Sequence, residues 1–134
     1  MDLKELKVRE DGARLYLVHP VTGEYLTYGE EEENQMYLIL LSHDSKEYAK
    51  KQRQIHDART REAQKNRNFK LTAERLEQDA NELLASITID GVLFVNGEEV
   101  KINSKNAEEY YNEYRWIKEQ VDTFVHDRSN FLSN

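Results

Sequence analysis

Four histidines, His19, His43, His56 and His126, are the side chains of this 134-residue chain best suited to proton transfer or metal binding near neutral pH. No two stand four residues apart, and no His-Glu-x-x-His segment sets two imidazoles and a base on one helix face. His43-Asp44 and His126-Asp127 are adjacent pairs able to titrate together, but no third group at useful spacing completes a metal or triad geometry, so all four read as surface or loop histidines. The acidic run Glu30 to Glu33 lacks the alternating ligand spacing of a calcium loop and reads as a solvated loop. The five glycines are scattered singly, with no nucleophile elbow and no phosphate loop. The chain has no cysteine, which removes thiol nucleophiles, disulfides and cysteine metal sites and suits a reducing compartment. The expectation is a protein without a catalytic site, metal or cofactor.

Binding chemistry has more to work with. Tyr111 and Trp116 lie well off the apolar stripe Tyr110, Tyr114, Ile117, Val121 on a helical wheel. Either the last helix is buried on more than one side, or these aromatics face a partner, where aromatics are enriched. A second candidate is charge. Residues 44–75 hold 10 Lys and Arg against 5 Asp and Glu, whereas the whole chain carries a net charge of -7. The basic face Lys46, Lys50, Arg53, Arg61 is read first as solvated, then as a contact for an acidic protein. Nucleic acid ranks last, because no aromatics interleave with the charges to stack bases and the protein as a whole is acidic.

The elements that must position these residues follow from pattern. Only 38% of the residues are hydrophobic and 34% are charged, so one domain over residues 1–134 with a modest core is expected. Ala13 to Val18 reads as a strand, His19 to Glu24 as a Pro/Gly turn, Glu24 to Tyr28 as a short strand, and Gln35 to Ser42 as a third. Residues 1–43 are then β-rich, a small antiparallel sheet, and residues 44–134 mainly helical with one β-hairpin, giving an α+β class. Asp44 with Glu47 forms a capping box opening a helix over about Ser45 to Asn66, whose apolar stripe is only Tyr48 and Ile55. Such a helix is weakly anchored, since packing supplies most helix stability. Leu71-Thr72 starts a second helix with Ala73, Leu76, Ala80, Leu83, Leu84 and Ile87 as its core stripe. Ile89-Asp90-Gly91 ends it, and Asn96-Gly97 marks a hairpin between residues 92–95 and 99–102. A last helix is expected from about Ala107 to Phe131. The N-terminus is charged and carries no apolar run, so no signal peptide is read there, and the longest apolar run, Tyr37 to Leu41, is far short of the ~20 residues that span a bilayer.

Taken in order, several segments resemble the tail assembly chaperones of long-tailed bacteriophages. They are His19-Pro20-Val21-Thr22-Gly23-Glu24 after an early strand and Ser42 to Tyr48 leading from strand to helix. A Gly-centred hairpin follows, then Asn106-Ala107-Glu108-Glu109, Trp116-Ile117-Lys118-Glu119-Gln120-Val121 and Asp127 to Leu132. The resemblance implies a non-enzymatic protein of the host cytoplasm that binds the tape measure protein, keeps its long apolar helices soluble and recruits tail tube subunits. Neither nucleic acid nor membrane is an expected partner, and self-association is an open possibility. The contact is expected on the C-terminal helix, with Trp116 at its centre and Tyr111, Tyr114, Gln120, Arg128 and Phe131 around it. Two rival readings are a structural virion component, such as a tail completion or connector protein, and a small nucleic-acid-binding regulator.

Overall fold

The central strand of the molecule is the apolar segment Tyr37–Leu40, flanked on both sides by strands from distant parts of the chain. The computed structural model describes residues 1–132. In chain order the strands and helices are β1 (Ala13–Tyr16), β2 (Thr27–Tyr28), β3 (Asn34–Gln35), β4 (Tyr37–Leu40), α1 (Lys46–Lys65), α2 (Ala73–Ser86), β5 (Thr88–Val95), β6 (Glu98–Lys101), α3 (Ala107–Glu113) and α4 (Arg115–Val125). β1, β4, β5 and β6 form one antiparallel sheet in that order, and β2 and β3 pair as a small separate ribbon. The α+β class and the late hairpin are as expected. The hairpin, however, is the continuation of the N-terminal sheet: β4 pairs with β1 on one edge and with β5 on the other, so the backbone groups of its buried segment are hydrogen-bonded on both sides. β5 accordingly starts at Thr88, four residues earlier than the sequence suggests.

Register follows from side-chain size and turn geometry. Leu38 faces Leu15 across one ladder and Gly91 across the other. A Cβ at Gly91 would lie 2.6 Å from the Leu38 side chain and 2.7 Å from the Tyr37 carbonyl oxygen, so only glycine fits opposite that leucine. Asn96 and Gly97 take φ of 53° and 78°, the two positive values a type I′ turn requires.

The helices cover one face of the sheet. Ile117, Val121 and Val125 of α4 enter the same buried cluster as Leu38, Leu40, Leu93, Ile102 and, from α2, Leu84 and Ala85. α1 packs on α2 and contributes one buried side chain, Tyr48. Its cap is Ser45, whose Oγ accepts from the Tyr48 amide at 3.3 Å; Asp44, the expected cap, stands one residue earlier and is held by Arg128. The stripe assigned to α2 also needs correction. Leu76 is 46% exposed, and the positions buried instead include Asp79 and Asn81.

The single C-terminal helix is two helices. At Tyr114 the backbone leaves the helical region (φ -114°, ψ 83°), with its amide closing α3 on Tyr110 O and its carbonyl opening α4 toward Ile117 N. A 3₁₀ turn, Arg128–Asn130, follows α4, and Val8 bridges Leu132, tying the two ends of the described chain together. Among the described residues no helix is long and apolar enough to cross a membrane.

Candidate partner-binding surface

The break at Tyr114 decides what the C-terminal residues can touch. A straight helix would turn Tyr111 away from the core stripe. In the shorter α3 it points inward, is 2% exposed, and its hydroxyl meets Thr88 Oγ1 at 2.7 Å. Burial drives the phenol pKa upward, so it stays protonated and can hydrogen-bond in the core. Phe131 is fully buried and meets Phe124 edge-on at 5.4 Å. Tyr111 and Phe131, expected as partner contacts, are therefore core residues.

Two other expected contacts are engaged within the chain. Gln120 clamps the backbone of Val18, its Oε1 accepting from the amide at 3.0 Å and its Nε2 donating to the carbonyl at 2.8 Å. The carboxamide thus acts like a strand neighbour to a residue just past β1. Arg128 forks onto Asp44 at 2.7 and 3.2 Å and holds that carboxyl below the usual carboxylate range. Of the six, Tyr114 and Trp116 keep partly exposed rings that make no hydrogen bond among the described residues; they meet edge-on at 6.3 Å and rest on the margin of the core.

A groove between α1 and α2 offers apolar surface that the sequence reading missed. It is a cavity of about 400 Å³ lined by Ile55, Leu76, Ala80 and Leu83 with Gln52, His56, Arg59 and Asp79. Asp79 holds its polar edge, bonded to Arg59 at 2.8 Å and Arg75 at 3.0 Å, and Arg75 also reaches Glu62 at 2.7 Å. The signal was present in the sequence: the two-residue stripe of α1 is narrower than the six-residue stripe of α2, so part of the latter had to stay uncovered.

The outer face of the sheet is the other missed surface. Arg14 lies 4.1 Å over the Tyr37 ring, and Tyr16 meets Tyr25 and Tyr37 edge-on. Tyr28 stacks on Phe94 at 4.9 Å and donates to Glu99 at 2.7 Å, which pushes its phenol up to about 12. Alternation of Arg14 and Tyr16 with Leu15 and Leu17 indicates this second face.

The histidines are not all isolated. His43 and His126 stack with ring centroids 4.7 Å apart, and His43 Nδ1 donates to the Val125 carbonyl at 2.9 Å. They are 83 positions apart in the chain, so no local spacing shows the pair. Among the described residues no group of three or more His, Cys, Asp or Glu could hold a metal ion. In comparison with known proteins, no family model, curated protein or solved structure matches this chain.

Proposed function

We propose that the protein is an assembly chaperone of a long-tailed phage, acting in the host cytoplasm, where it binds apolar helices of the tape measure protein and brings tail tube subunits to them. The ordered set of segments from His19 to Leu132 supports the reading. The observation that carries it is the open α1–α2 groove, with Leu76 nearly half exposed at its edge. An amphipathic helix laid in such a groove buries its apolar face against it, each large aliphatic side chain contributing roughly 1.5–3 kcal/mol when fully covered. The polar rim of Asp79 and Arg59 gives orientation, and Trp116 with Tyr114 extends the apolar surface available elsewhere on the helical layer.

Coexpression with tape measure fragments tests this. Wild type should keep the fragments soluble and copurify with them. Leu76→Asp, at an exposed position, should melt within a few degrees of wild type and lose the fragments. Trp116→Ala should cost on the order of 2 kcal/mol of binding if the indole is a contact. Unchanged melting with unchanged binding in both variants would sink the proposal, as would recovery of the protein as a stoichiometric part of purified tails.

A further inference from the structure

The four-stranded sheet has two edges, and they are finished differently. On β6 three of the four residues are charged, Glu98, Glu99 and Lys101. Ile102 donates to the Gly91 carbonyl at 2.9 Å, so the backbone groups of Glu99 and Lys101 are the ones that point off the sheet. One of these is already taken, the Lys101 carbonyl accepting from Asn106 Nδ2 at 2.8 Å. Charge and side-chain cover of this kind protect an edge strand from pairing. On β1 the Leu17 amide donates to the Met36 carbonyl at 3.1 Å. Ala13 and Leu15 therefore also turn their backbone groups toward β4, and those of Arg14, Tyr16 and Val18 point away. Gln120 satisfies both groups of Val18. The amides and carbonyls of Arg14 and Tyr16 have no partner among the described residues.

Apart from one arginine, the side chains along this open edge are apolar or aromatic. Leu15 is partly buried on the helix-covered face, and Tyr16 is 38% exposed on the outer one. A strand of the same sequence fits them in one antiparallel register. Centred on Arg14, the pairing sets two guanidinium groups directly opposite each other, which is destabilising. Centred on Tyr16, it asks for the Val18 backbone, which Gln120 occupies. Centred on Leu15, it uses every free backbone group of Arg14 and Tyr16. Arg14 then lies opposite Tyr16 of the second copy, a cation–π partner added to the Tyr37 ring already 4.1 Å from that guanidinium. On the other face, Leu15 meets its own counterpart.

We propose that β1 pairs antiparallel with β1 of a second copy of this chain, about a two-fold axis at Leu15. The amides of Arg14 and Tyr16 in each copy donate to the carbonyls of Tyr16 and Arg14 in the other. The two four-stranded sheets become one continuous sheet, with both helical layers on the same side and a charged β6 strand at each outer edge. The contact is isologous, so it closes at a dimer and leaves no further β1 edge open. It uses no residue of the α1–α2 groove and is independent of what that groove binds.

Sedimentation equilibrium of the purified full chain over a wide concentration range, with residue-resolved amide exchange at both extremes, tests the proposal. Wild type should pass from monomer to dimer. The Arg14 and Tyr16 amides should gain protection as it does, and those of Glu99 and Lys101 should not. Tyr16→Pro removes an outward amide and no bond to β4, a change an edge strand tolerates. It should weaken dimerisation about tenfold or more, since the symmetric contact loses that bond twice. The chain has no cysteine, so Leu15→Cys gives a single thiol per copy. Residues opposed in a non-hydrogen-bonded pair stand roughly 4.5 Å apart at Cα, within disulfide range. This variant should therefore oxidise to a covalent dimer far faster than Val100→Cys, the matching position on β6. Three outcomes overturn the proposal: a chain monomeric at every concentration, a dimer whose Arg14 and Tyr16 amides stay unprotected, or equal cross-linking of the two cysteine variants. If Tyr16→Pro fails to fold, wild-type exchange and the cross-linking comparison still decide.

Discussion

α1 and α4 are opposite solutions to keeping a helix in place. α1 runs for 20 residues and buries one side chain, Tyr48. α4 runs for 11 and buries three, Ile117, Val121 and Val125, with Gln120 added as a clamp on Val18. What holds α1 along most of its length is polar: Asp79, its side chain 6% exposed, gripping Arg59 of α1 and Arg75 of α2. Extra length adds hydrogen bonds inside a helix, but those exchange against water. Buried apolar area is what separates a fixed helix from one that opens. The longer helix thus buries the fewer side chains, and its apolar margin with α2 stays uncovered.

The largest expected effect breaks the comparison from the α4 side. Ile117→Ala should cost roughly 2–5 kcal/mol in denaturant unfolding, as a cavity in a closed core does. Ile55→Ala, the counterpart on α1, is only half-buried and should cost under about 1 kcal/mol. Equal losses would end the distinction between the two helices.

Asp79→Ala probes the polar grip. It leaves Arg59 without its carboxylate and Arg75 with Glu62 alone. Both arginines retain substantial exposure, so the cost is discounted to about 1–3 kcal/mol. Hydrogen exchange should localise it, with amides of Lys46–Lys65 exchanging faster and those of Arg115–Val125 unchanged. Uniform acceleration across both helices would show that α1 and α4 open together.

The smallest effect sharpens the comparison at an ion pair that joins the two regions. Arg128, just beyond α4, fastens Asp44 at the start of α1. The folded Asp44 pKa lies below its ordinary 3.8, so this contribution is fully present above that value and fades as pH falls through the folded pKa. Arg128→Ala should therefore lower the melting temperature slightly at neutral pH, with the difference from wild type vanishing in strong acid. A difference that grows in acid would mean that another group holds the two segments.

Much of this comparison is legible in the residue order. Local chemistry placed α1 to within a residue, because a long polar stretch of helix-forming residues is a short-range property. It placed α2 from Thr72, and the Asn96-Gly97 turn from its need for positive φ. The weak anchoring of α1 followed from a stripe of two apolar residues. Other features depended on contacts between distant segments. The capping box pointed to Asp44, but Arg128, 84 positions away, claims that carboxylate and leaves the cap to Ser45. The continuous C-terminal stripe concealed the break at Tyr114, since a wheel assumes one axis. The break turns Tyr111 inward to Thr88 and leaves Trp116 on the margin. Leu76 is exposed and Asp79 buried because Asp79 is held between Arg59 of α1 and Arg75 of its own helix, while α1 gives too little apolar cover to bury the leucine. Periodicity states which side chains can share a face. Only the packing of one face against another decides which of them are covered, and so which are left to meet a partner.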